Sequence, residues 1–494
     1  MKKYAYLALS ATLLTSLSFS QEEVNTSYWT GNTREGTSGW GLSSVAENWS
    51  TGTIPDANTN VVFDNEYLTG EKILSIHTTS GFTCNDYTVT SNYGGHQIRV
   101  DGTMTINGDF TTQTPGTVTL LSNGSNNSAA ILNIGGSVIV GVDGDITSNV
   151  SYLNIGETTS NQWGGWGGPK NVTIGGDIIM YELGKVSFNV NLKGRTADYS
   201  NPDIDVKGLI RFEGNGSTNP NLDIINASNP YTSGDNKQYS IPVEVVLACN
   251  GISGNGVISN NSNGSLDNGP SKAILLLRND SDQYFAGWIQ DGQNCTTKIV
   301  MNGTATQYLT SVNKDPEKPT EGICFTGGLE IISGTLSMRY DHPINHGDLE
   351  MRGGKLKNDS VSSAWNVNFT NLIYEGGTIV SRWNGSNMDV ITLSGGLQKG
   401  AGFADGDKFL IEVAATDVSS LTDELVIAWD NAAQKTDFTE DDFEATYFEG
   451  YEALFNIKDD GLYLSYIAVP EPASFAVMLG ALALGLCACR NKRK

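Results

Sequence analysis

"MTINGDF" at residues 104–110, "LNIGGSV" at 132–138 and "VTIGGDI" at 172–178 follow one plan. Apolar and polar residues alternate, the alternation stops at a pair drawn from Gly, Asn and Asp, and an apolar residue then resumes. A period of two places Met104 and Ile106, Leu132 and Ile134, and Val172 and Ile174 on one side of a strand, and the glycine break bends the chain. "LNIGETT" at Leu153 and the looser "DVKGLIRF" at Asp205 extend the series, giving steps of 28, 21, 19 and 33 residues. A repeat near 20 residues with longer excursions predicts stacked coils of a β-solenoid, because one coil cannot bury its inner face alone.

The second half restates the plan as "FTGGLEIISGTLSMRY" from Phe325, "GDLEMRGGKLKND" from Gly347, "LIYEGGTIVSRW" from Leu372 and "ITLSGGLQKG" from Ile391. Each is an alternating strand, a glycine break and a second alternating strand. "GGLEIISGTLSM" resembles the autotransporter-associated β-strand repeat, and that resemblance implies a right-handed parallel β-helix. The expected fold class is therefore all-β, a right-handed β-helix or β-solenoid with terminal caps and one C-terminal transmembrane helix. Paired β-sandwich or jelly-roll domains are the alternative, since glycine-rich repetition also arises from hairpins.

The segment 21–70 differs from the repeats. Trp29, Trp40 and Trp49 punctuate it before Pro55-Asp56 and the apolar Val61-Val62-Phe63. It resembles the opening of many exported β-helix proteins. Two roles suit the tryptophans: covering the first coil, whose open edge would otherwise recruit another chain, or stacking on sugar rings, a role Trp166 in "GGWGG" shares. Coils are expected over 71–400. A closing unit is expected over 401–468, with two apolar strands, a capping box at Thr439–Asp442 and a hairpin turning at Asp460-Gly461.

Lys2 and Lys3, an apolar stretch from Ala5 to Leu17 and the small residues Ser18 and Ser20 predict a signal peptide over 1–20. At the other end the apolar run Ala473 to Cys489 would reach roughly 26 Å as a helix, enough to span a bilayer barely. Arg490, Lys492, Arg493 and Lys494 would hold its end on the cytoplasmic side. Pro470-Glu471-Pro472 bars a helix just before it and leaves an extended peptide. This three-part arrangement over 469–494 resembles the PEP-CTERM sorting signal. The resemblance implies processing by an exosortase, a transient inner-membrane anchor and delivery to the cell surface or extracellular matrix.

The composition carries 54 acidic against 30 basic residues, a net charge of −24. That disfavours nucleic acid, whose phosphates need clustered Lys and Arg. Cys487 and Cys489 lie in the terminal apolar run; Cys84, Cys249, Cys295 and Cys324 are candidate disulfide partners in an oxidising compartment, with three connectivities open. None forms a CxxC pair. Of the four histidines, His342 and His346 have an i, i+4 spacing, yet Pro343 and Gly347 argue for a loop, and no HExxH glutamate accompanies them. No GxSxG elbow is present, and the acidic turn "DGDKF" at Asp405 lacks further oxygen ligands. No catalytic, metal or cofactor residue is assigned. The expected function is a non-catalytic structural or adhesive protein of the envelope or extracellular polysaccharide matrix. A lyase or glycoside hydrolase on the same scaffold is the alternative.

Overall fold

Three short strands and their two corners form the unit, and each unit pairs in parallel with the next. The strands Thr103–Ile106, Phe110–Thr112 and Gly116–Ser122 make one such coil. Ile131–Ile134, Val138–Val140 and Ser151–Ile155 stack on them in order. Asn171–Ile174, Ile178–Tyr181 and Gly184–Phe188 follow in turn. The computed structural model describes residues 24–469, except 38, 80, 91–94, 114, 123–129, 145–149, 157–168, 189–196, 215–218, 225–230, 233–237, 240–243, 261–270, 293–294, 312–321, 340–341, 359–364 and 430–435. The expected signal peptide and, beyond Val469, the expected sorting and membrane segment lie outside the described residues.

Among the described residues there is no α-helix, and none of the helical turns is long and apolar enough to cross a membrane. A 23-stranded sheet carries the first two faces, while the third face is divided between a 10-stranded and a 6-stranded sheet. These long parallel sheets are consistent with a β-solenoid. Pairing also corrects the repeat length. Met104 stands against Leu132, Leu132 against Val172 and Val172 against Ile204, so coils recur every 28 to 40 residues there. The copy at Leu153 is no coil start: it pairs with Val118 and Val186 on the third face. A period-two pattern marks a face and cannot by itself count coils. In the second half the step shortens, with Leu329, Leu349, Leu372 and Leu397 in register.

Inward side chains stack on their counterparts one coil away. Met104, Leu132, Val172 and Ile204 form one column and Phe110, Val138, Ile178 and Ile210 another, all at most 1% exposed. Each such side chain contributes about 1.5–3 kcal/mol through burial. Corners are tight because coils sit about 4.8 Å apart. A Cβ on Gly175 would lie 2.2 Å from the carbonyl oxygen of Gly135 below it. Beside this glycine column the turn amides are satisfied from the neighbouring coil: Asp109 N–H donates to Asp86 (2.9 Å), Ser137 N–H to Asp109 (2.7 Å) and Leu209 N–H to Asp177 (2.8 Å). In the second half two faces merge into single bent strands, Leu329–Met338, Leu349–Lys357 and Leu372–Arg382. Gly377 permits the bend with φ +94°, and a Cβ there would meet Gly353 O at 2.3 Å.

The two ends of the stack differ. Asn25–Tyr28 and Trp40–Leu42 already pair in parallel with Thr59–Phe63 and Ser75–Thr78, so coils begin inside the tryptophan-rich segment. At the other end Phe409–Ala414 and Glu424–Trp429 continue the stack. A 3-10 turn at Glu440–Asp442 opens with the Thr439–Asp442 capping box. The hairpin Tyr451–Lys458 with Gly461–Ala468 then pairs antiparallel to Glu424–Trp429. Its turn falls on Asp459 and Asp460, one residue earlier than expected, because Lys458 and Gly461 pair across it.

Candidate functional site

Val246, Ala248, Ile274, Leu276 and Val300 point outward from the first face, yet all are at most 1% exposed. Ala197 and Tyr199 pack over them. A parallel sheet covered on both sides needs an unbroken apolar run, which is what "EVVLAC" and "KAILLL" supply. That run was the sequence signal for a covered strip, and the alternation-based reading passed over it. Along the strip the register runs Ala248, Leu276, Val300, Glu330, Glu350, so the apolar row gives way to two stacked carboxylates.

Five further contacts converge there. Tyr199 Oη donates to Glu330 Oε2 at 2.9 Å, and Lys298 Nζ lies 2.7 Å from the same oxygen. Lys298 also reaches Glu350 Oε1 at 3.1 Å, and Arg352 Nη2 donates to Glu350 Oε2 at 3.1 Å. Arg352 Nε stands 3.2 Å from Glu330 Oε1, within ion-pair range though not aligned as a hydrogen bond. The Glu330 side chain is only 2% exposed. Burial works against the Lys298 charge, but its hydrogen bond and charge pairing with Glu330 outweigh that and raise its pKa. Burial likewise opposes ionisation of Glu350, while Lys298 and Arg352 hold its carboxyl below the usual range. Burial first, then the Glu330 carboxylate, push the Tyr199 hydroxyl up to about 12.

General acid–base catalysis needs a group able to exchange its proton near the working pH. A glycosidase pair needs one protonated carboxyl, and a lyase needs an uncharged base. Here the Glu350 carboxyl is held ionised, the Lys298 amine is held charged and the Tyr199 hydroxyl keeps its proton. The arrangement ties the segment at Tyr199 to successive coils, which is a positioning role.

The tryptophans divide. Trp29 and Trp49 are 0% and 2% exposed, packed edge to face at 4.9 Å, with indole N–H groups donating to Ile73 O and Ser43 O, both at 2.8 Å. Both belong to the buried core, and their assignment as sugar contacts is corrected, since neither ring face is open. Trp40 lies half-buried on Trp40–Leu42, and Trp166 lies outside the described residues. His77 fastens the cap, its ring nitrogens 2.7 Å from Glu35 and 2.8 Å from Asp101.

The candidate disulfides are also corrected: Cys84, Cys249, Cys295 and Cys324 are buried thiols. Cys84 and Cys249 stand on first-face strands five pairing steps apart. That is roughly 24 Å at the spacing of paired strands, far beyond disulfide reach. Cys295 lies two further pairing steps on, six residues out of register with Cys249. Burial pushes the Cys84, Cys249 and Cys295 thiols up, the latter two to about 12.

The loop expected at His342 and His346 is in part a strand. His342 is on the strand His342–Asn345, whereas His346 is fully buried between Phe325 and Phe369, with Nδ1 2.9 Å from Phe325 O. The Asp405 stretch is an exposed turn in which Asp407 accepts the Ala404 amide at 2.8 Å. Among the described residues no three His, Cys, Asp or Glu side chains gather as metal ligands. Compared with protein-family models and with curated proteins, the chain matches none.

Proposed function

We propose that this chain is an exported, surface-sorted, non-catalytic structural or adhesive protein that associates with an extracellular polysaccharide matrix or the cell envelope. In this reading the coils form a right-handed β-helix, the hand that parallel crossovers almost always take. Pro470-Glu471-Pro472, the apolar run and the terminal basic cluster act as a PEP-CTERM signal, read by an exosortase while the chain is transiently anchored in the inner membrane. The observation that carries the non-catalytic reading is the closed set of ion pairs among Lys298, Glu330, Glu350 and Arg352, which leaves this acid–base cluster committed to holding coils together. A continuous core of stacked coils suits an exported structural protein.

The test is incubation of the full chain with polysaccharide from the producing cells. Co-sedimentation is expected, with the polymer's molar mass unchanged and no new reducing or unsaturated ends. Release of such ends over many turnovers would make the protein a polysaccharide-active enzyme and overturn the proposal.

A further inference from the structure

The closing hairpin leaves one sheet edge open. Tyr451–Lys458 pairs with Gly461–Ala468 on one side, and among the described residues no strand pairs with it on the other. A two-residue turn makes Lys458 and Gly461 a hydrogen-bonded pair, so Asn456, Leu454 and Glu452 bond toward the hairpin partner. Ile457, Phe455, Ala453 and Tyr451 therefore turn their N–H and C=O groups to the open edge. Neighbours take the two outer amides: Ile457 N–H donates to Glu440 Oε1 at 3.4 Å and Tyr451 N–H to Phe448 O at 3.1 Å. The Ala453 and Phe455 amides between them meet no acceptor among the described residues. Open edges are ordinarily blunted by a proline, a bulge or an inward charge. Here the pairing is regular, and Tyr451, Ala453, Phe455 and Ile457 on the core side are uncharged and only partly buried. On the outer side Leu454 and Ile467 are 45% and 46% exposed.

We propose that this edge pairs with the same edge of a second copy of the chain, antiparallel about a two-fold axis at Leu454. In that register Ala453 and Phe455 of each copy exchange hydrogen bonds with Phe455 and Ala453 of the other, so the groups left open satisfy one another and the amides already taken stay as they are. Leu454 faces its own counterpart at a non-hydrogen-bonded position, where side chains approach closest, and the two exposed leucines cover each other with Ile467 beside them. Glu452 stands opposite Asn456, an amide that can donate to it. Lys458, which pairs with Asp423 within its own chain, stands opposite Gly450 and diagonal to Glu452, within reach of a long side chain. This self-match in hydrogen bonds, apolar surface and charge is what selects a second copy as the occupant, and a two-fold contact of like edges closes at a dimer. The net charge of −24 opposes the contact, but at 0.15 M salt charges more than about 8 Å apart are largely screened.

The experiment is sedimentation velocity of the full chain in a non-ionic detergent that keeps the terminal apolar run from aggregating. A monomer–dimer equilibrium with a dissociation constant between about 1 µM and 1 mM is expected, a small interface being a weak one. Ala453→Pro removes one donor from each copy at an edge position that accepts proline, and is expected to raise that constant about thirtyfold, two hydrogen bonds' worth, with the fold retained. Leu454→Cys, on the exposed side, gives a readout that does not depend on a proline: the paired Cα atoms would lie about 4.5 Å apart, within disulfide range. Under copper phenanthroline it should form a linked dimer markedly faster than Ile131→Cys, an exposed position far from this edge. A monomer throughout the concentration range, unchanged affinity in Ala453→Pro, or linkage no faster than in Ile131→Cys overturns the proposal. So does Leu454→Cys closing on Cys487 or Cys489 of its own chain, a linked species of monomer mass, since the terminal segment would then occupy the edge.

Discussion

Acidification from pH 7 to pH 4 is expected to destabilise the protein by on the order of 6 kcal/mol through two core histidines. His96 is fully buried, stacked on Phe63 at 3.7 Å, with Nδ1 2.8 Å from Leu74 O and the Tyr87 hydroxyl at Nε2. Burial lowers its pKa to about 3, against the lesser pull of the Leu74 carbonyl. Burial likewise lowers His346 to about 4, against the Phe325 carbonyl. A folded pKa below the unfolded value means that the unfolded chain takes up a proton the native ring refuses. The stabilising contribution is therefore complete above about pH 6.5 and is lost as pH falls toward 4 and 3. Asp291 and Asp389, whose carboxyls burial raises, offset part of the loss. Denaturant titrations at pH 7 and pH 4 would read this directly. His346→Gln should lose about half as much stability over that interval as the unsubstituted chain, and an equal loss would remove His346 from the explanation.

Glu330→Ala is expected to destabilise by about 3 kcal/mol, because it takes from the buried Lys298 its nearer and more enclosed carboxylate and leaves it only Glu350. Arg352, about half exposed, should cost under about 1 kcal/mol on replacement by alanine. The double variant Lys298→Met/Glu330→Leu should return close to the original stability, since a well-packed apolar pair can replace a buried ion pair. Equilibrium unfolding of the three variants checks this. A Glu330→Ala chain as stable as the original would show that the pair does not hold the covering segment.

The strands were legible in the sequence wherever alternation met a glycine break, as at Met104, Leu132 and Val172, because period two and turn chemistry are local properties. Coil counting was not legible, since Leu153 carries the same local pattern on a different face and only pairing tells them apart. The covered strip announced itself in "EVVLAC" and "KAILLL", but which segment covers it did not: Tyr199 and Glu330 are 131 residues apart in the chain. Register between coils hid the ion-pair cluster, in which Lys298 and Glu350 are 52 residues apart in the chain. Widely spaced cysteines suggested staples, yet their heights along the stack depend on how many residues each coil consumes. For the tryptophans, composition left cap and platform open, and burial of Trp29 and Trp49 rules out the platform for those two rings.

Intact mass of the full-length gene product, recovered from inner membrane, outer envelope, matrix and medium, tests most directly that this rod is delivered outside the cell by its terminal signal. The unsubstituted protein should appear in the matrix or envelope without residues 1–20 and without the apolar run that follows Pro470-Glu471-Pro472, while Glu471→Ala keeps the run and stays in the inner membrane. If both proteins keep the run and remain in the same membrane, the proline motif is only a linker, and sorting to the surface is contradicted.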